Sequence, residues 1–143
     1  MPEIIVGYDG SETAKTALGV AAALSKDLGS GLVLVFGYAP RGYGGGEVPS
    51  QRDAVFELAE KATAEGAERA KAAGIEAEVD LEPMHPAHAL LEAARKYDGR
   101  MNVVGSRGGS PIKGAILGST SYTLLHTADV PVLVVPARDR EAG

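Results

Sequence analysis

Glu3-Ile4-Ile5-Val6-Gly7-Tyr8-Asp9-Gly10-Ser11 opens the chain with a run of branched apolar residues that ends in a turn and a helix cap. The stretch Glu3 to Tyr8 reads as a short buried strand, because Ile4, Ile5 and Val6 are contiguous and β-branched. Asp9-Gly10 supplies turn chemistry, and Ser11 is placed to accept the first unpaired amides of a helix. That helix follows in Ala14, Ala17, Leu18, Ala21, Ala22, Leu24 and Leu28, which recur at helical spacing, and Gly29 and Gly31 end it.

The same strand-then-helix unit repeats along the rest of the chain. Leu32 to Phe36 is a second unbroken apolar run. Gly37 to Ser50, with Gly44-Gly45-Gly46, reads as a loop, and helix resumes near Gln51 with an apolar stripe of Val55, Leu58, Ala59 and Ala62. Gly74 closes it. Ile75, Ala77, Val79 and Leu81 alternate with acidic residues, so this third strand has one wet face and belongs at a sheet edge. Pro86 suits the first turn of a third helix bearing Leu90, Leu91 and Ala94. Met101 to Val104 is a fourth strand, which Asn102 interrupts. A second glycine-rich loop, Gly105 to Gly114, leads to a helix from about Leu117 to Thr127, and Val132 to Val135 is a fifth strand between Pro131 and Pro136. The order β-α-β-α-β-α-β-α-β implies an open, doubly wound parallel sheet with helices on both faces. Residues 1–143 read as one domain.

Composition narrows the function classes. Apolar residues are 45% and charged residues 23%, a globular balance. With no cysteine there are no disulfides and no thiolate metal sites. A formal charge of -5, without a long basic run, disfavours nucleic acid as a partner. No basic leader and no long apolar stretch is seen, so the expectation is a cytoplasmic protein with no membrane segment.

Ligands of open parallel sheets bind beyond the carboxyl ends of the strands, where strand order reverses. Two loops have suitable chemistry: Asp9-Gly10-Ser11 after strand 1, and Gly105 to Ser119 after strand 4. In the second, Gly105-Ser106-Arg107-Gly108 is followed by nine residues and then Gly118-Ser119 at a helix start. Glycines let a ligand approach the main chain, and a helix start presents unpaired amides with the dipole behind them. Arg107 and Lys113 add positive charge, and together these describe an anion cradle for two or three phosphates. A plain solvent-exposed connection has similar composition; the helix-terminal Gly118-Ser119 and the two cations weigh toward the cradle. Neither a P-loop nor the Gly-x-Gly-x-x-Gly fingerprint is present. Asp9 reads as a ribose or metal ligand, against a purely local role in its turn. Ser119 reads as a phosphate donor or a helix cap, with Ser106 and Thr120 in support. His85 and His88 are three apart, but no further His or Cys completes a metal site, and His126 is no convincing base.

The spacing of Gly105, Gly108, Gly118 and Ser119 resembles the nucleotide loop of the universal stress protein family, in its ATP-binding branch. The likeness extends over nearly the whole chain. It includes Ile4 to Ser11, Val103 to Gly108, Leu117 to Ser121 and Val130 to Val135. The resemblance implies a Rossmann-like sheet of order 3-2-1-4-5, of the adenine nucleotide alpha hydrolase-like kind. It implies Asp9 at the ribose, main chain near Gly37 at the adenine, and Val104 and Gly105 toward the ribose and α-phosphate. Gly108, Gly118 and Ser119 would then hold the phosphates of ATP, with Mg²⁺, and Arg107 by its charge and Thr120 by its hydroxyl join the candidate nucleotide-binding set. It also implies a nucleotide-dependent stress-response or regulatory protein, at most a slow ATPase, because the loop offers donors and no base. A slow nucleotide hydrolase and a dimerisation module binding AMP or cyclic AMP stay open. In that strand order Val132-Leu133-Val134-Val135 is an uncharged edge, which predicts a homodimer through strand 5. The sequence does not name the protein partner or the role of the glycine-rich loop at 41–46.

Overall fold

The computed structural model describes residues 2–38, 49–106 and 118–136. Nine elements follow in order: β1 (Glu3–Gly7), α1 (Glu12–Leu28), β2 (Gly31–Gly37), α2 (Pro49–Ala72), β3 (Ala77–Glu82), α3 (Pro86–Lys96), β4 (Gly99–Gly105), α4 (Ser119–Thr127) and β5 (Val132–Val135). The strands form one parallel sheet in the order β3-β2-β1-β4-β5. Strand order reverses between β1 and β4, so a crevice opens beyond the carboxyl ends of these two strands.

The apolar runs become central strands because both of their faces are roofed. Ile4 and Val6 face one way, with Leu32, Leu34 and Val103, onto Ala14, Ala17, Leu18, Ala21 and Ala22 of α1 and Ala70 of α2. Ile5, Val33, Val35 and Val104 face the other way, onto Ala89, Leu90 and Ala93 of α3 and Leu124 of α4. Ile4, Ile5 and Val6 have no exposed surface. Burying each is worth about 1.5–3 kcal/mol, which makes β1 the anchor of both layers. Local signals set the ends of α1 as read: the Ser11 hydroxyl accepts from the Ala14 amide at 3.2 Å, and Gly29 closes the helix at φ 68°. Gly31 is not part of that stop and begins β2. The loop at 41–46 lies outside the described residues.

Two local readings are corrected. Leu58 is 65% exposed, and α2 instead buries Ala59, Thr63, Gly66 and Ala70. The face is made of small residues because α2 lies close: a Cβ on Gly66 would stand 2.8 Å from the Tyr8 ring. On β3 the alternation holds at Ala77 and Glu78 and fails at the next pair, where Val79 is exposed and Asp80 buried. Asp80 tolerates burial because Lys96 Nζ of α3 stands 3.4 Å from its carboxylate. Beside it, a hydrogen bond to Asp80 and then burial hold the Glu82 carboxyl above its usual range.

Asn102 is fully buried on β4, between Ile5 of β1 and Val132 of β5. Its main-chain amide donates to Pro131 O at 2.9 Å, but neither atom of its side-chain amide has a partner among the described residues. A polar group left so costs about 1–3 kcal/mol.

Candidate functional site

A pocket of about 260 Å³ lies at the carboxyl end of the sheet, over the β1–β4 switch point. It is built by five segments. The turn after β1 brings Tyr8, Asp9, Ser11 and Thr13; β2 brings Val35 and Gly37; the start of α3 brings Pro86 and Leu90. The end of β4 brings Val104 and Gly105, and the start of α4 brings Gly118 to Ser121. Of the residues singled out in the sequence, Asp9, Gly37, Val104, Gly105, Gly118, Ser119 and Thr120 therefore share one pocket. Arg107, Gly108 and Lys113 lie outside the described residues.

The wall at Asp9 is a fixed turn. One Asp9 carboxylate oxygen accepts from the Ser11 amide at 2.9 Å, and Gly10 between them has φ 85°, which L side chains rarely adopt. Asp9 thus performs the local role and also lines the pocket. Opposite, the end of β4 is wedged between two helices. A Cβ on Gly105 would meet Thr13 Cβ at 3.0 Å, and Gly105 O accepts from the Ser121 hydroxyl at 2.6 Å. The glycine at 105 is therefore demanded by α1, and Ser121 pins the first turn of α4 to the strand.

Not every amide of the cradle is open. Gly118 N–H donates to Ser106 O at 2.6 Å, and Ser106 N–H donates to Val135 O at 2.8 Å, so the Gly118 amide is already satisfied. Gly118 is the N-cap of α4, and no side chain caps the helix. The first α-helical bond runs from Tyr122 N–H to Gly118 O at 3.0 Å. The amides of Ser119, Thr120 and Ser121 precede it and have no intrahelical acceptor. No acidic residue stands in that first turn, whereas α1 has both a hydroxyl cap and Glu12 in its first turn. Among the described residues, the α4 start thus has neither a side-chain cap nor an acid in its first turn, and Ser119 is its first residue rather than its cap.

Leu90, Val104, Val35 and Pro86 give the other part of the pocket an apolar surface. Here α3 and β2 touch closely: a Cβ on Gly37 would fall 2.7 Å from Pro86 Cα. His85 has a structural use, since its Nδ1 accepts from the Ala87 amide at 3.3 Å and caps α3. Among the described residues no group of three or more His, Cys, Asp or Glu is placed to hold a metal ion.

Sequence reasoning missed Tyr8, Pro86 and Leu90 as pocket walls, and Ser121 as a pin. Tyr8 is buried, and its hydroxyl donates to Glu65 Oε1 of α2 at 3.2 Å. Burial, then the Glu65 charge, push the phenol up to about 12 from 10.0. A raised phenol favours the folded state fully below pH 10 and loses that contribution as pH rises through 12. Urea unfolding should therefore show stability falling between pH 10 and 12, with a smaller fall in Tyr8→Phe; equal slopes would refute the Tyr8–Glu65 assignment.

The universal stress protein family model matches residues 1–136. A universal stress protein from Thermus aquaticus, encoded in the 3' region of a sulfhydrylase gene, is 35% identical over 92% of this chain and 96% of its own length. Among solved structures, a universal stress protein from Archaeoglobus fulgidus superposes with TM-score 0.80 at 22% identity, covering 94% of this chain and 98% of that one. A universal stress protein in complex with cAMP superposes with TM-score 0.76 at 26% identity, covering 95% and 97%. A five-stranded sheet in the order β3-β2-β1-β4-β5, a cleft at its switch point and a matching sequence from end to end place the chain in the universal stress protein family.

Proposed function

We propose that the chain binds an adenine nucleotide in the β1–β4 pocket and acts as a nucleotide-dependent regulatory protein, with ATP as ligand. The observation that carries this is the uncapped start of α4, whose Ser119, Thr120 and Ser121 line the same pocket as Asp9. The apolar part at Val35, Gly37, Pro86 and Leu90 suits a base, and the hydroxyls of Ser11, Thr13, Ser119 and Thr120 suit sugar and phosphates. The cAMP bound by the similar structure at 26% identity supports the ligand class. Mg²⁺ would arrive on the triphosphate, with Asp9 the carboxylate among the described pocket residues to meet it. Those residues include no His or Glu to orient an attacking water, so turnover is slow or absent.

Calorimetric titration with ATP, ADP, AMP and cyclic AMP, with and without Mg²⁺, tests the reading. Binding of ATP at micromolar affinity supports it. Preference for AMP or cyclic AMP would move the ligand to a monophosphate, and no binding of any of the four would refute it.

The edges of the sheet support a homodimer. β3 carries the acidic Glu78 and Glu82, which oppose pairing with another strand, whereas β5 carries Val132, Leu133, Val134 and Val135. Leu133 is partly exposed, and Tyr122 and Leu125 of α4 are exposed as well. Leu133→Lys should convert a dimer of the wild-type chain to monomer at micromolar concentration in light scattering. A wild-type monomer, or a dimer that survives the lysine, would refute the interface.

A further inference from the structure

We propose that Glu65 of α2 is a positioning residue for the nucleotide pocket, a role that rests on the ligand proposed for it: through Tyr8, Glu65 holds the turn that carries Asp9. Glu65 does not line the pocket, whereas Tyr8 and Asp9 both do. Ala62, Glu65 and Gly66, spaced to share one face of α2, meet the segment from Tyr8 to Gly10. The Tyr8 hydroxyl donates to Glu65 Oε1 at 3.2 Å. The Tyr8 ring lies so near the main chain of α2 that a Cβ on Gly66 would stand 2.8 Å from its Cε2. At Gly10 an added Cβ would stand 3.6 Å from Ala62 Cβ, so the turn beyond Tyr8 lies against the same helix face.

Glu65 is itself held from two sides. Its Oε2 stands 3.9 Å from Lys15 Nζ of α1 and 3.8 Å from Arg69 Nε, one turn further along α2. One carboxylate oxygen therefore meets the phenol and the other meets two cations, which fixes where the Tyr8 hydroxyl comes to rest. At its other end Tyr8 is tied to the sheet, since its amide donates to Val35 O of β2 at 3.0 Å. With main chain bound to β2 and ring bound to α2, Tyr8 is a fixed anchor for the residue that follows it. A ligand that meets Asp9 thus meets a wall whose place is set by a carboxylate outside the pocket. A tie that served stability alone would leave affinity unchanged, and that difference is measurable.

Calorimetric titration with ATP and Mg²⁺ tests the role. Tyr8→Phe and Glu65→Ala should each weaken binding by roughly 3- to 30-fold. The double variant should bind no more weakly than either one, because both changes remove the same bond. Glu65→Gln, whose amide oxygen still accepts from the phenol, should stay within about twofold of wild type. Without ligand, the Gly10 and Ser11 amide resonances should move in Tyr8→Phe and Glu65→Ala and return in Glu65→Gln. Wild-type affinity in Glu65→Ala, additive losses in the double variant, or Glu65→Gln as weak as Glu65→Ala overturns the proposal. If the wild-type chain binds no nucleotide, the ligand reading fails and the resonances decide alone: moved in both single variants and restored by Gln they uphold the tie, and unmoved they overturn it.

Discussion

Thr120→Asp should lower nucleotide affinity about 100-fold or more while leaving the fold intact or slightly more stable. Thr120 is the second residue of α4 and lines the pocket, next to amides without intrahelical acceptors. A carboxylate there interacts favourably with the helix dipole, worth about 0.3–1 kcal/mol. The melting temperature should therefore hold or rise by a few degrees. The same carboxylate would sit where a phosphate is expected. Two like charges about 4 Å apart repel by about 4 kcal/mol at an effective dielectric of 20. Thr120 is only partly buried, so solvent takes a share, and about 2.7 kcal/mol, a factor of about 100, is the expected loss. Thr120→Asn, of the same shape without the charge, should stay within about tenfold of wild type. Calorimetric titration alongside scanning calorimetry separates the outcomes. If Thr120→Asp binds ATP as tightly as wild type, phosphates do not lie at the start of α4, however the rest of the pocket is filled.

The elements of this fold are legible wherever the deciding contact is local. Ser11, three residues before the amide it accepts, and Gly29, at a positive φ, mark the ends of α1 without tertiary help. The uncharged run at Val132 to Val135 and the alternating run at 77–82 fall at opposite edges of the sheet, as their patterns imply. What was not legible depends on partners distant in sequence. Asp80 is buried because Lys96, on the next helix, reaches back to it. Gly66 faces the core because the Tyr8 ring arrives from the first strand.

The pocket divides in the same way. Seven of the nine candidate nucleotide-binding residues line one pocket, and the other two, Arg107 and Gly108, lie outside the described residues. The glycine spacing could not show which donors stay open. The hydrogen bond from Gly118 N–H to Ser106 O commits one amide of the predicted cradle to the protein itself. A glycine in such a loop therefore has two readings, close approach to a ligand or close approach to the protein itself. At Gly105 the neighbour is Thr13, and at Gly7 a Cβ would stand 3.1 Å from Leu90 Cδ1.

Gly37 is where these two readings diverge most. A β-carbon there would stand 2.7 Å from Pro86 Cα, 2.9 Å from Ala89 Cβ and 2.9 Å from Met84 O. The three atoms are main chain or the first side-chain atom, so no rotamer change relieves the collision. The start of α3 must move away from β2 instead. Overpacking of this kind costs about 1–3 kcal/mol. Gly37→Ala should lower the melting temperature by about 4–12 °C in a chain of this size. Gly19 supplies the matched control: it lies inside α1 with nothing within 4 Å of an added Cβ, so Gly19→Ala should stabilise by about 0.5–1 kcal/mol. Because Pro86 and Leu90 line the pocket, the displaced α3 in Gly37→Ala should also weaken nucleotide binding. Scanning calorimetry of both variants decides the matter. If Gly37→Ala melts with wild type, the approach of α3 is not what requires glycine at the end of β2, and a ligand contact would have to account for it.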